Sequence, residues 1–148
     1  MSTYTQILYQ IVFSTKNRER TLLKDHRLEL YKYVWGIFKN NKCMLYQING
    51  IEDHIHILCH LHPTRCLADL IKDIKLSSTV FIKEKTIFPH FNGWQEGYGA
   101  FTYSYNQKDI LINYIKNQEE HHKTITFIDE YIQLLKEHGI EFNEKYLF

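Results

Sequence analysis

Residues 53–60, DHIHILCH, alternate in a way that suits a strand lying between two unlike surroundings. Successive side chains on a strand point to opposite faces. Asp53, Ile55, Ile57 and Cys59 therefore share one side, most of it apolar and fit for a core. His54, His56, Leu58, His60 and His62 continue the other as a polar stripe rather than a packing surface. The imidazoles at 54 and 56 point the same way, about 7 Å apart along the strand, within reach of one cation held between them. On the residues alone, a solvent-facing strand side accounts for the pattern too, because the chain carries nine histidines.

The rest of the chain supplies partners for that strand. YTQILYQIVFS (4–14) is rich in β-branched and aromatic residues and reads as a first strand. From Lys24 to Asn41, Leu28, Tyr31, Val34, Trp35 and Phe38 recur at helical spacing. CMLYQI and HIHILCHL flank NGIED, whose Asn49-Gly50 is a turn signal, so they form an antiparallel pair. A second helix follows Pro63, with Leu67, Leu70, Ile71, Ile74, Ser78 and Phe81 on one face. YGAFTYSY (98–105) reads as a fourth strand, 106–122 as a third helix capped by Asn106, and Phe127–His138 as a last helix stopped at Gly139.

The order β-α-β-β-α-β followed by helices predicts an α+β fold: a ferredoxin-like or RRM-like antiparallel sheet with helices on one face and a C-terminal tyrosine-bearing helix. Its other sheet face is left for something else. At 148 residues and 44% hydrophobic content the chain fits one domain, 1–148. Its apolar runs are too short to span a bilayer and its start is too strand-like for a signal peptide, so the expected location is cytoplasmic. Cys43, Cys59 and Cys66 lack the paired spacing of a zinc site. Net charge is only +1, but residues 16–42 carry eight basic side chains against three acidic ones, and the tail from Phe127 carries two against five. That asymmetry permits a polyanion on one side of the molecule.

A second constellation lies in INYIKNQEEHH (112–122). On a helix Tyr114 and Gln118 are neighbours on one face, and His121 and His122 extend that face. With eleven tyrosines in the chain, Tyr114 by itself reads equally as a packing residue. DHIHIL, GYGAF and YIKNQ taken together, with STKNRER after the first strand, resemble the single-tyrosine HUH transposases. These are the transposase-A type enzymes of the smallest bacterial insertion sequences, whose relatives include the REP-associated tyrosine transposases. The resemblance runs over nearly the whole chain.

That resemblance implies a metal-dependent DNA transposase, a tyrosine endonuclease and strand transferase. In it Tyr114 attacks a single-stranded DNA phosphodiester and forms a 5′-phosphotyrosine. It implies His54, His56 and Gln118 as ligands of a divalent cation, Mg²⁺ or Mn²⁺. Some members add a carboxylate three residues before the first histidine. Here that position is Ile51, with Glu52 the nearest candidate, while Asp53 is expected to face away. The implied partners are single-stranded DNA with hairpin ends and a second copy of the chain in a homodimer, with no membrane. Lys16, Arg18 and Arg20 are expected phosphate contacts by charge and loop position only, and a solvated basic loop accounts for any one of them equally well. Two other classes stay open: a non-catalytic single-strand nucleic-acid binder, which needs aromatics on the open sheet face, and a metal hydrolase using His54, His56 and His60 without a covalent intermediate.

Overall fold

The structure, a computed structural model, describes residues 2–147. Its strands are β1 (Leu8–Ser14), β2 (Met44–Gly50), β3 (His54–His60) and β4 (Gly99–Tyr103), and all neighbours run antiparallel in the order β2-β3-β1-β4. Helix α1 (Lys24–Asn40) connects β1 to β2, and α2 (Leu67–Lys85) connects β3 to β4. This is the ferredoxin-like arrangement expected from the element order. β1 begins four residues later than the apolar run suggests, at Leu8.

One sheet face packs as the alternation requires. Ile11, Phe13, Ile55, Ile57 and Cys59 form a core with Leu30, Val34 and Phe38 of α1 and Leu70, Ile71 and Ile74 of α2. The face of α1 turned inward differs from the expected one. Leu28 and Trp35 are 63% and 50% exposed, while Arg27 and Leu30 are buried. Arg27 is drawn in by fixed acceptors: it donates to the Leu22 carbonyl at 2.9 Å and to Glu119 at 3.0 Å. A buried guanidinium is tolerated where such partners meet it.

The β2–β3 turn is also displaced from its sequence signal. Gly50 belongs to β2 and pairs with Ile55, and the reversal is made by 51–53. Glycine is needed there for space, because a Cβ would run into the His54 carbonyl oxygen. The close turn pins the start of β3, so that His54 opposes Ser14 and His56 opposes Val12 on β1.

The second sheet face is not open. Val12 and Phe101 pack against Phe127, Tyr131, Leu134 and Leu135 of α5 (Phe127–Glu137), and Leu58 packs against Leu111 and Ile115 of α3 (Lys108–Lys116). The expected continuous third helix breaks at Asn117, whose φ −93° and ψ 19° leave the helical region. A short turn, α4 (Gln118–His121), follows. The Thr126 hydroxyl caps α5 by accepting from the Asp129 amide at 3.2 Å. Gly139, at φ +67°, lies just past its end as predicted.

Candidate metal centre and tyrosine

β3 delivers His54 and His56 to the second face, where α4 and α5 close over them. Both rings are fully buried, yet they sit in a polar pocket rather than among aliphatic side chains. Gln118 enters from the first turn of α4, and its Oε1 lies 3.1 Å from His54 Nε2. His122, just past α4, brings its Nε2 to 3.0 Å from the same Gln118 oxygen. The fifth member is Glu130, on the inner face of α5 and 2% exposed. Its Oε1 lies 2.9 Å from His56 Nε2, 3.1 Å from His122 Nε2 and 3.5 Å from His54 Nε2. Its Oε2 accepts hydrogen bonds from the Gln118 amide at 3.2 Å and from the Tyr114 hydroxyl.

Tyr114 thus reaches the histidines of its own chain, its ring centroid 5.9 Å from that of His56. The i, i+4 relation survives the break at Asn117, since Tyr114 and Gln118 both meet Glu130. His121 lies on the same side, Nε2 3.2 Å from Glu130 Oε2.

The ring tautomers are set from outside the cluster. His54 Nδ1 faces Asp53 Oδ1 at 2.7 Å, and His122 Nδ1 faces the Ile125 carbonyl at 2.8 Å. An acceptor at Nδ1 fixes the proton there and turns Nε2 inward. His56 Nδ1 instead meets the Gln10 amide at 3.0 Å, and Gln10 is in turn held by the Tyr103 hydroxyl at 2.7 Å.

Burial alone would lower the His54 pKa, but hydrogen bonds to Asp53 and Glu130 and the charges of both outweigh it and hold it above the ordinary value. For His56 burial wins and the pKa falls. Burial would raise Glu130, yet the surrounding imidazoles hold its carboxyl well below the usual carboxylate range. Burial, then the charge of Glu130, pushes the Tyr114 phenol well above its ordinary value and keeps it protonated.

Two cavities reach the cluster. One, about 390 Å³, is lined by Arg18, Arg20, Asp53, His122, Lys123 and Phe127. The other, about 250 Å³, exposes Tyr114, His121 and Glu130 beside Gln10 and Tyr103. Lys16 is exposed on the loop after β1 and does not line either cavity, so of the three expected phosphate contacts only Arg18 and Arg20 stand beside the site.

Several expectations are corrected here. Asp53 does not turn away; it holds the His54 ring. Glu52 is not the missing carboxylate, because it pairs with Arg20 at 2.8 Å and lies 3.8 Å from Arg27. The carboxylate at the site comes from Glu130. Sequence reasoning counted Glu130 only as part of an acidic tail. Its signal was its position: with Phe127 and Leu134 it is one charge on an otherwise apolar helical stripe. His60 bonds to the Ile7 backbone, away from the cluster.

A ferredoxin-like sheet thus carries a histidine pair on one of its two central strands, with a tyrosine on the helix across it. The family model described as "Transposase IS200 like" matches residues 3–118, and the chain belongs to that family. Its fold is similar to a crystal structure from Deinococcus radiodurans R1, provisionally described as a transposase, with TM-score 0.61 and 23% identity over 80% of this chain and 95% of that one. It is also similar to a REP-associated tyrosine transposase bound to a REP hairpin, with TM-score 0.63 and 16% identity over 84% of this chain and 76% of that one. Among curated proteins, none matches the chain in sequence. No helix among the described residues is long and apolar enough to cross a membrane.

Proposed function

We propose that this transposase excises and inserts a small insertion sequence by cutting and rejoining single-stranded DNA through a 5′-phosphotyrosine on Tyr114. The observation that carries the reading is the convergence of Tyr114, Gln118, His54 and His56 around one carboxylate. In the cleavage step Tyr114 Oη forms a bond to phosphorus and the bond from phosphorus to the 3′ oxygen breaks. The phenol's proton ends on that departing oxygen, so atoms balance. Rejoining reverses the step at a new end, and the covalent link conserves the bond energy.

His54, His56 and Gln118 fit a divalent cation, Mg²⁺ or Mn²⁺, because the Nε2 atoms of both imidazoles and the amide oxygen converge in one buried pocket. When bound, that cation supplies Lewis-acid help to a phosphate oxygen. The chain's own groups do the rest. Glu130 keeps the phenol aimed, Asp53 fixes the His54 ring, and Arg18 and Arg20 stand where a phosphate backbone enters, with Lys16 further along the same loop.

The partner is single-stranded DNA with hairpin ends, a reading supported by the hairpin bound to the REP-associated neighbour. The protein acts as a homodimer in the cytoplasm, each copy a single domain over residues 1–148. The test is a labelled single-stranded hairpin oligonucleotide incubated with Mg²⁺ or Mn²⁺ and then denatured on a gel. Label retained on the protein, and lost in Tyr114→Phe, supports the reading. Cleavage without an adduct means a hydrolase, and binding without cleavage means a non-catalytic binder.

A further inference from the structure

We propose that His122 and Glu130 are ligands of the same cation as His54 and His56, making this a three-imidazole, one-carboxylate centre that selects a transition-metal ion over Mg²⁺. The inference rests on the metal-dependent reading above and extends its ligand set. Both residues lie beyond the stretch that the family model matches.

Spacing is the first argument. One donor atom each from His54, His56, His122 and Glu130 all lie within 4.8 Å of one another. Around Glu130 Oε1 the three Nε2 atoms stand at 2.9, 3.1 and 3.5 Å. A four-coordinate ion with arms near 2.1 Å spaces its ligand atoms by roughly 3.4 Å. The three nitrogens stand off the carboxylate oxygen by close to that distance.

Proton placement is the second. His122 carries its proton on Nδ1, because the Ile125 carbonyl at 2.8 Å can only accept. His54 is held the same way by Asp53. Their Nε2 atoms then turn lone pairs toward Gln118 Oε1 and Glu130 Oε1, which are acceptors as well. Acceptors facing acceptors are satisfied by extra protons on both rings or by one shared cation. A backbone carbonyl or carboxylate behind each ring is the support that metal-binding histidines characteristically have. Gln10 serves His56 once its amide is turned to accept from Nδ1, an orientation in which its nitrogen faces the Tyr103 hydroxyl.

The third argument is division of labour on one carboxylate. Oε1 faces the rings of His54, His56 and His122, while Oε2 accepts from Tyr114 and Gln118. Glu130 therefore ties the nucleophile to the ion's position, and three nitrogen donors favour Mn²⁺, Co²⁺ or Zn²⁺ over the oxygen-seeking Mg²⁺.

The experiment is calorimetric titration of metal-free full-length protein with Zn²⁺, Mn²⁺ and Mg²⁺, without DNA. The chains compared are the wild type, His122→Asn, Glu130→Gln, and His54→Asn/His56→Asn. Melting in EDTA and far-UV dichroism confirm that each variant folds. A second readout is the visible spectrum of bound Co²⁺, which reports the donor set and needs no activity. The expected result is Zn²⁺ binding far tighter than Mg²⁺, weakened about tenfold or more in both single variants, with altered Co²⁺ bands. Zn²⁺ affinity and Co²⁺ spectra matching wild type in both single variants, while His54→Asn/His56→Asn loses binding, would overturn this inference and leave the proposed function standing. Binding unaffected even in that double variant would overturn both. Mg²⁺ binding as tightly as Zn²⁺ would overturn the selectivity.

Discussion

Tyr114 donates its phenolic hydrogen to Glu130, sixteen residues further along the chain and on a different helix. The bond crosses from α3 to α5 beside the second cavity and joins the proposed nucleophile to the histidine pair of the same chain. It shows why the residues after the family-matched stretch matter. α5 supplies the carboxylate that Tyr114 and the histidines share.

Since each chain holds its own tyrosine against its own histidines, cleavage is expected in cis. Mixing Tyr114→Phe with His54→Ala/His56→Ala chains should restore no covalent adduct on the hairpin oligonucleotide. Recovery toward a quarter or more of wild-type adduct in the mixture, with neither variant active alone, would mean that the tyrosine helix crosses between subunits.

Asp53 contacts the His54 ring through Nδ1. Asp53→Asn should weaken metal affinity by about 10–100-fold while leaving the melting temperature in EDTA close to wild type. An unchanged metal titration would show that the carboxylate does not orient the ring.

The position of Glu130 depends on how α5 is seated. Leu134→Ala should cost about 2–5 kcal/mol in denaturant unfolding. Gly99→Ala should be costly as well, because a Cβ there would lie 2.9 Å from Tyr131 Cε1 and Oη. Its expected cost is about 1–3 kcal/mol. Both should raise hydrogen exchange in α5 more than in α2, and uniform exchange across the chain would count against a locally seated helix.

Arg20 is tied to Glu52 at the surface, a pair with 65% and 33% side-chain exposure and so of little stabilising value. Arg20→Ala should leave the melting temperature within about 1 °C of wild type. It should reduce the slope of log affinity against log salt for single-stranded DNA by about 0.7. A salt slope equal to wild type would remove Arg20 from the DNA path.

Legibility was uneven along the chain. Alternation in DHIHILCH was enough to place His54 and His56 together and Ile55 and Ile57 in the opposite core, because the two-residue period of a strand is a local property of the backbone. Helical spacing likewise joined Tyr114 to Gln118 across four residues. The inner face of α1 was misread at Leu28 and Trp35, since the rotation of the helix depends on what Arg27 finds to bond with, and its Glu119 partner lies ninety-two residues away.

From the sequence alone came the order of elements, the antiparallel sheet and four of the residues that meet at the site: His54, His56, Tyr114 and Gln118. Only the tertiary structure decided that the second sheet face is covered, that Asp53 turns toward His54 and that Glu130 completes the cluster. The reason is range. Strand and helix periods act over a few residues, whereas the partner of a buried charge is chosen by packing between segments that the chain brings together only when it folds. His56 and Glu130 are seventy-four residues apart, and no local pattern links them.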